Sequence, residues 1–304
     1  MIRSGNIWFL AAVILVAVGA LIFVGALAAV HFDFTEFSTQ KFQTNTYEFN
    51  ENFENISVDV KTATVIFVPS DEEVCRIECF EEDKLTHSVK IQDGTLMVYT
   101  VDNRKWYDHI VISFKTPTVT IYLPEEVYDS LSVVTKTGNI EIPDGFCFET
   151  VTITGTTSSI TCNASVSKCI ELNTTTGNIS LGSSETETIE LSATTGKVTA
   201  NDIACNKLTA ETSTGQIFLQ NVIAEESIQA ETSTGGVIFE GCDASDIAVK
   251  TSTGSVEGTL LSEKIFDVHT ATGSIRVPDT TSGGRCEITT GTGNIEISLT
   301  AENP

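Results

Sequence analysis

From residue 131 onward, apolar and polar positions recur with a period of 19 or 20 residues. The phrase Thr-Gly-x-Ile/Val marks each copy, and its glycine can be called slot zero. Gly138, Gly177, Gly196, Gly215, Gly235, Gly254, Gly273 and Gly293 occupy that slot, with Ser158 in one degenerate copy. Slot +2 holds Ile140, Ile160, Ile179, Val198, Ile217, Val237, Val256, Ile275 and Ile295, all β-branched. Slots −7 and −5 are apolar in every copy, from Leu131 and Val133 to Cys286 and Ile288, and slot −1 is always Thr. Apolar residues two apart signal strands, so each copy predicts two short strands. The apolar parity changes at slot zero, where a turn or bulge suits glycine. A variable third segment closes each coil.

A single copy cannot bury its own apolar face, but stacked coils can. The pattern therefore predicts an all-β, right-handed, single-stranded parallel β-helix, the hand following from parallel crossovers. The template extends backward. Ala63 takes slot zero with Ile56, Val58, Val65 and Phe67 around it. Pro117 does so with Ile110, Ile112, Val119 and Ile121, and Gly94 more poorly with Val89, Ile91, Leu96 and Val98. This counts about twelve coils and puts a β-solenoid over 55–304, regular from 131. Slots −3 and −1 share parity with −7 and −5, so both threonine ladders are expected to point inward. The open end of the rod is expected near Ile295–Leu299, where homo-association through solenoid ends would occur.

Residues 7–30 are an unbroken apolar run without charge. At about 1.5 Å per residue such a helix spans a bilayer core of about 30 Å. Arg3 precedes it, and His31, Asp33 and Glu36 follow. The positive-inside rule then makes 1–6 cytoplasmic, 7–30 a single-pass transmembrane helix in the cell membrane, and everything later extracytoplasmic. Ala26-Leu27-Ala28 would fit a cleaved signal, but the run exceeds a signal core. Residues 31–54, polar and acidic with interspersed Phe, read as a juxtamembrane linker whose later part caps the first coil.

The apolar anchor, the phrase VTIYLPEEVYDSLSVVTKTGNIEI and the later TSTG coils together resemble the DUF4097 family of adhesin-like bacterial envelope proteins. The segment KWYDHIVISFKTPTVTIYLP is similar to the entry into their repeat region. The resemblance spans about 45–300. It implies a single-stranded β-helix at an envelope, and it brings no catalytic residues.

Charge and chemistry narrow the function. The formal charge is −24, which excludes a nucleic-acid-binding face. Of eight cysteines, Cys162 and Cys286 fall in apolar ladders and read as buried packing residues. If any disulfide forms, Cys147–Cys169 is the neighbouring pair. The four His (His31, His87, His109 and His269) form no metal or triad spacing, and His87 and His269 read as surface or satisfied-core residues. Asp71-Glu72-Glu73 and Glu81-Glu82-Asp83 read as acidic loop tips. Glu171, Glu190 and Glu287 share slot −6 as a solvated outer ladder. No catalytic, cofactor or metal site is assigned. The expected role is a non-catalytic, bilayer-anchored scaffold contacting a protein or glycan at the cell surface. An envelope-stress or signalling accessory is the alternative, ahead of a polysaccharide-active enzyme.

Overall fold

The computed structural model describes residues 4–29, 41–72, 74–106 and 115–300. His31, His109, Ile110 and Ile112 lie outside them. One helix, α1 (Ser4–Ala29), precedes the sheet. Among the described residues no helix is long and apolar enough to cross a membrane. The described side chains of α1 are 9–25 and 28, a shorter span than the apolar run itself.

The sheet begins with β1 (Phe42–Phe49), β2 (Asn55–Thr62), β3 (Thr64–Ser70), β4 (Cys75–Glu82), β5 (Leu85–Gln92), β6 (Thr95–Asp102) and β7 (Thr118–Pro124). The regular coils follow: β8 (Val127–Thr137), β9 (Ile140–Ile142), β10 (Cys147–Thr157), β11 (Ile160–Cys162), β12 (Ser165–Thr176), β13 (Ile179–Leu181) and β14 (Ser184–Thr195). Three long strands then run continuously around the coil corners: β15 (Val198–Thr214), β16 (Ile217–Thr234) and β17 (Val237–Thr253). The last are β18 (Val256–Leu260), β19 (Lys264–Thr272), β20 (Ile275–Arg276), β21 (Gly284–Thr292) and β22 (Ile295–Leu299).

Equivalent slots pair in parallel from level to level. Ile140 pairs with Ile160, Ile160 with Ile179, Ile179 with Val198, and so on through Ile217, Val237 and Val256. All of these, and Ile295, are at most 1% exposed. Ile275 is the exception at 46%, although its slot predicts burial. The cause is the stacking order. β17 pairs with β21, and β21 pairs with β19; likewise β18 pairs with β22, and β22 with β20. The last coil of the chain is thus inserted beneath the one before it. The end of the stack is β19–β20, not Ile295–Leu299, and Ile275 has no level above it.

The opposite end is rearranged in the same sense. β2 lies between β6 and β8, and β3 between β7 and β9. Leu96 and Val98 align with Ile56 and Val58, which are slots −7 and −5, while Val119 and Ile121 align with Val65 and Phe67. The copies read at Gly94 and Pro117 are therefore two sides of one level. This is one reason the solenoid has about eight turns rather than about twelve. Beyond that level the parallel rule ends. β5 pairs antiparallel with β6, β4 with β7, and β1 with β4. Together they close the stack as a cap, and residues 42–49 of the Phe-bearing segment supply its outer strand.

Two details show how sequence sets the coil corner. Gly196 has φ +154°, and a Cβ there would lie 1.8 Å from the carbonyl oxygen of Gly177. Both the left-handed backbone and the close approach require glycine. The degenerate copy compensates instead. Ser158 fills the glycine slot, and Gly155 replaces the slot −3 Thr, since a Cβ at Gly155 would meet Ser158 Cβ at 2.5 Å. At three later levels the slot −3 hydroxyl donates to the slot-zero carbonyl of the neighbouring level: Thr212 to Gly196, Thr232 to Gly215 and Thr251 to Gly235, each at 3.1 Å. Thr290 to Gly254 and Thr270 to Gly293, both 3.0 Å, repeat the bond across the inserted level. Slot −3 points inward, but slot −1 does not. Thr137, Thr176, Thr214 and Thr253 are exposed, because the turn at slot zero swings the preceding residue out of the stack.

The contrast between internal and terminal levels is testable. Ile217→Val should lower stability by about 0.5–1.5 kcal/mol, whereas Ile275→Val should be within error of the parent. Urea denaturation of the two variants measures both.

Candidate functional site

Two regions concentrate chemistry: the outer face of the first side and the interior of the cap. On the outer face, slot −4 places Glu211 beside Glu231, Glu231 beside Lys250, and Lys250 beside Thr289. Slot −6 aligns Thr209, Gln229, Ala248 and Glu287. A shallow groove runs between these rows, lined by Glu211, Glu231, Lys250 and Glu287 among others. Lys250 Nζ lies 2.9 Å from Glu231 Oε1, with both side chains more than half exposed. Such a pair is worth at most about 1 kcal/mol. Glu171 and Glu190 are true neighbours, while Glu287 is separated from them by Thr209, Gln229 and Ala248. The outer face is a row of solvated groups spaced by the strand repeat, without convergence on a point.

The cap interior does converge. Alternation along β4 buries Cys75, Ile77, Cys79 and Glu81 on one face. Glu81 is completely buried, Glu82 is 8% exposed and His87 3%, so of the expected acidic loop tip only Asp83 is exposed. The tight β4–β5 hairpin brings His87 back over Glu81. Glu81 Oε2 accepts from the His87 backbone N–H at 2.5 Å and faces His87 Nδ1 at 2.7 Å. Glu81 Oε1 accepts from Asn45 Nδ2 at 2.6 Å, and Tyr47 O–H donates to the His87 carbonyl at 3.0 Å. β1 is thereby tied to the hairpin through two polar side chains.

Cys79, Glu81 and His87 bring potential metal-ligand atoms within 4.8 Å of one another. The 2.7 Å between Glu81 and His87 is a hydrogen-bond distance. Two ligands of one tetrahedral zinc ion would stand about 3.3 Å apart, so the trio fits a hydrogen-bonded clasp better than an ion cradle. Burial, with a further contribution from Glu81, pushes the Cys79 thiol up to about 12. Burial first, then Glu81 and Cys79, also raises the Tyr47 phenol. A buried thiol shifted this way is protonated and unreactive. The spacing of Glu81 and His87 is visible in sequence, but only the hairpin reveals that they meet.

All eight cysteines are free. Cys147 faces Ser165 and Val127, and Cys169 faces Thr150 and Thr188, so the pairing read as nearest is out of register. His269 stands exposed on β19.

At the rim of the cap, Arg104 grips Asp102 with two bonds of 2.9 Å, and Lys61 Nζ adds one at 3.2 Å. The Arg104 hydrogen bonds, foremost among the causes, hold the Asp102 carboxyl well below the usual carboxylate range. A depressed folded-state pKa stabilises the fold above the unfolded value of about 3.9. That stabilisation is lost as pH falls through the lowered value. Acid should therefore loosen this rim below about pH 4, and Asp102→Asn should remove that part of the pH dependence in a melting series.

Comparison with known proteins bears on the fold. The model of the Toastrack DUF4097 family matches residues 53–238 and 187–303. The chain belongs to this family. No match is found among curated proteins. Among solved structures, the chain is similar to a "putative adhesin" from Parabacteroides merdae, at 13% identity and TM-score 0.47, covering 86% of this chain and 98% of that one. A "putative adhesin" from Parabacteroides distasonis gives 13%, 0.46, 85% and 98%. A "putative lipid binding protein" from the same species gives 12%, 0.31, 84% and 97%.

Proposed function

We propose that this DUF4097 protein is a non-catalytic scaffold, anchored in a membrane by residues 7–30 with the solenoid outside. Its long sides would contact a protein or glycan at the cell surface. The observation that supports it is the outer face itself: in-register rows of Thr, Glu and Lys over successive levels, with the convergent polar groups of the described residues turned inward as a clasp. Such rows suit extended, repetitive partners better than a small substrate, which needs a concave pocket. The anchor draws support from α1, whose described side chains are apolar on every side; Phe9, Leu15 and Leu21 are each more than 70% exposed. A helix apolar all round needs lipid or protein about it.

The test is binding by intact cells. Cells lacking the protein should lose attachment to surface glycan or protein, and restoration of the full chain should recover it. Unchanged attachment would refute the adhesive role. Crosslinking in intact membranes that captures chiefly a membrane kinase or transporter would favour the signalling alternative.

A further inference from the structure

We propose that the free edge of β19 and β20 is a homophilic pairing site, where two copies of this chain join antiparallel about Val268.

The stacking order creates the edge. Among the described residues β19 pairs with β21 alone and β20 with β22 alone; apart from the Lys264 carbonyl, which accepts from the Thr280 hydroxyl, no further strand ladder covers the outer edge of either. Natural proteins protect such edges with outward charges, proline or a covering element. The N-terminal end is covered by β1, β4 and β5. The C-terminal end has no covering strand among the described residues, and its outward charges are few, Asp267 and Arg276. Its lysine is turned the wrong way for protection: Lys264 is 2% exposed, bonded to Asp243 Oδ1 and to Ser262 Oγ at 2.5 Å. Apolar side chains stand open instead, Ile265 at 52% and Ile275 at 46%, with Phe266, Val268 and Val277 only partly covered. The eight other residues of the Ile275 slot are at most 1% exposed, which measures what a covering level would bury.

The pattern along β19 identifies a second copy as the occupant. A two-fold axis at Val268 sets Val268 against its own symmetry mate, Phe266 against Thr270, Asp267 against His269 and Ile265 against Ala271. Core-facing residues then meet core-facing residues, as register demands. Each acidic side chain meets the imidazole of the other copy, giving two complementary contacts by one symmetry operation. A shift by one residue would set inward against outward side chains. The chain enters the sheet at the opposite end, through β1, so such a pair would hold its two N-terminal segments at the far ends of a doubled rod. If the surface reading is right, this is a tip-to-tip contact between two membranes; the pairing itself does not depend on that reading.

Sedimentation of the full chain in detergent tests it. The parent should populate a dimer at micromolar concentration. Ile265→Lys combined with Ile275→Lys should weaken it by about tenfold or more without changing the melting temperature. Val268→Cys should give an intermolecular disulfide on mild oxidation, and Glu48→Cys on the cap should not. A monomer at every concentration would overturn the proposal. So would a dimer indifferent to the double lysine variant, crosslinking through Glu48→Cys instead of Val268→Cys, or an edge that captures only an unrelated protein.

Discussion

Gly196→Ala should be the most damaging single-methyl addition in the solenoid, lowering stability by about 4 kcal/mol or more. Its new Cβ would be placed 1.8 Å from the Gly177 carbonyl oxygen, and that oxygen is backbone, held by the neighbouring level. Rotation of a side chain offers no escape, and the left-handed φ adds its own strain. Gly94→Asn is the control. Gly94 also has positive φ, +70°, but nothing lies within 4 Å of its Cβ position, and Asn tolerates this region, so the change should cost about 1 kcal/mol or less. Thermal melts of both variants measure the difference. Equal, small effects would mean that levels slide past one another more freely than the ladder implies.

The second large effect is expected in the cap. Glu81→Ala strands the His87 N–H and His87 Nδ1 in a dry interior and frees the half-buried Asn45 Nδ2, a loss of about 3–5 kcal/mol. Because the backbone of β1 pairs with β4 alone among the described residues, the loss should appear first as local opening. Hydrogen exchange should accelerate across 42–49 and 85–92 while the ladders from 131 onward stay protected. Glu81→Gln, which keeps an acceptor oxygen and the shape, should be milder. Uniform loss of protection along the whole chain would show that the cap and the coils unfold as one unit.

Much of this fold is legible in residues. The alternation at −7, −5 and +2 names the buried set, because a strand must place every second side chain on one face. The degenerate copy at Ser158 is readable too, but its compensation by Gly155 is not, because the collision that Gly155 avoids lies across the turn. The buried Glu81 was not legible. A run of Glu-Glu-Asp reads as solvent-facing unless a partner is known, and the partner His87 is brought by a hairpin turn. The exposure of slot −1 escapes the alternation rule for a related reason: parity holds along a strand but fails at its last residue, where the chain is already turning.

The sequence by itself determined the period, the slot occupancy and the requirement that like slots stack, since these follow from strand alternation and from apolar faces too small to be buried alone. The order of the levels was decided only by the tertiary structure. Every copy presents the same ladder, so local pairing rules are satisfied whichever coil lies next. The choice falls to end effects: Gly283 and Gly284 let the last coil pass close under its predecessor, where Cβ atoms would strike the carbonyls of Glu263 and Ser245, and the antiparallel strands of the cap close the other end. Those choices put β2–β3 and β21–β22 inside the stack and left β19–β20 at its tip.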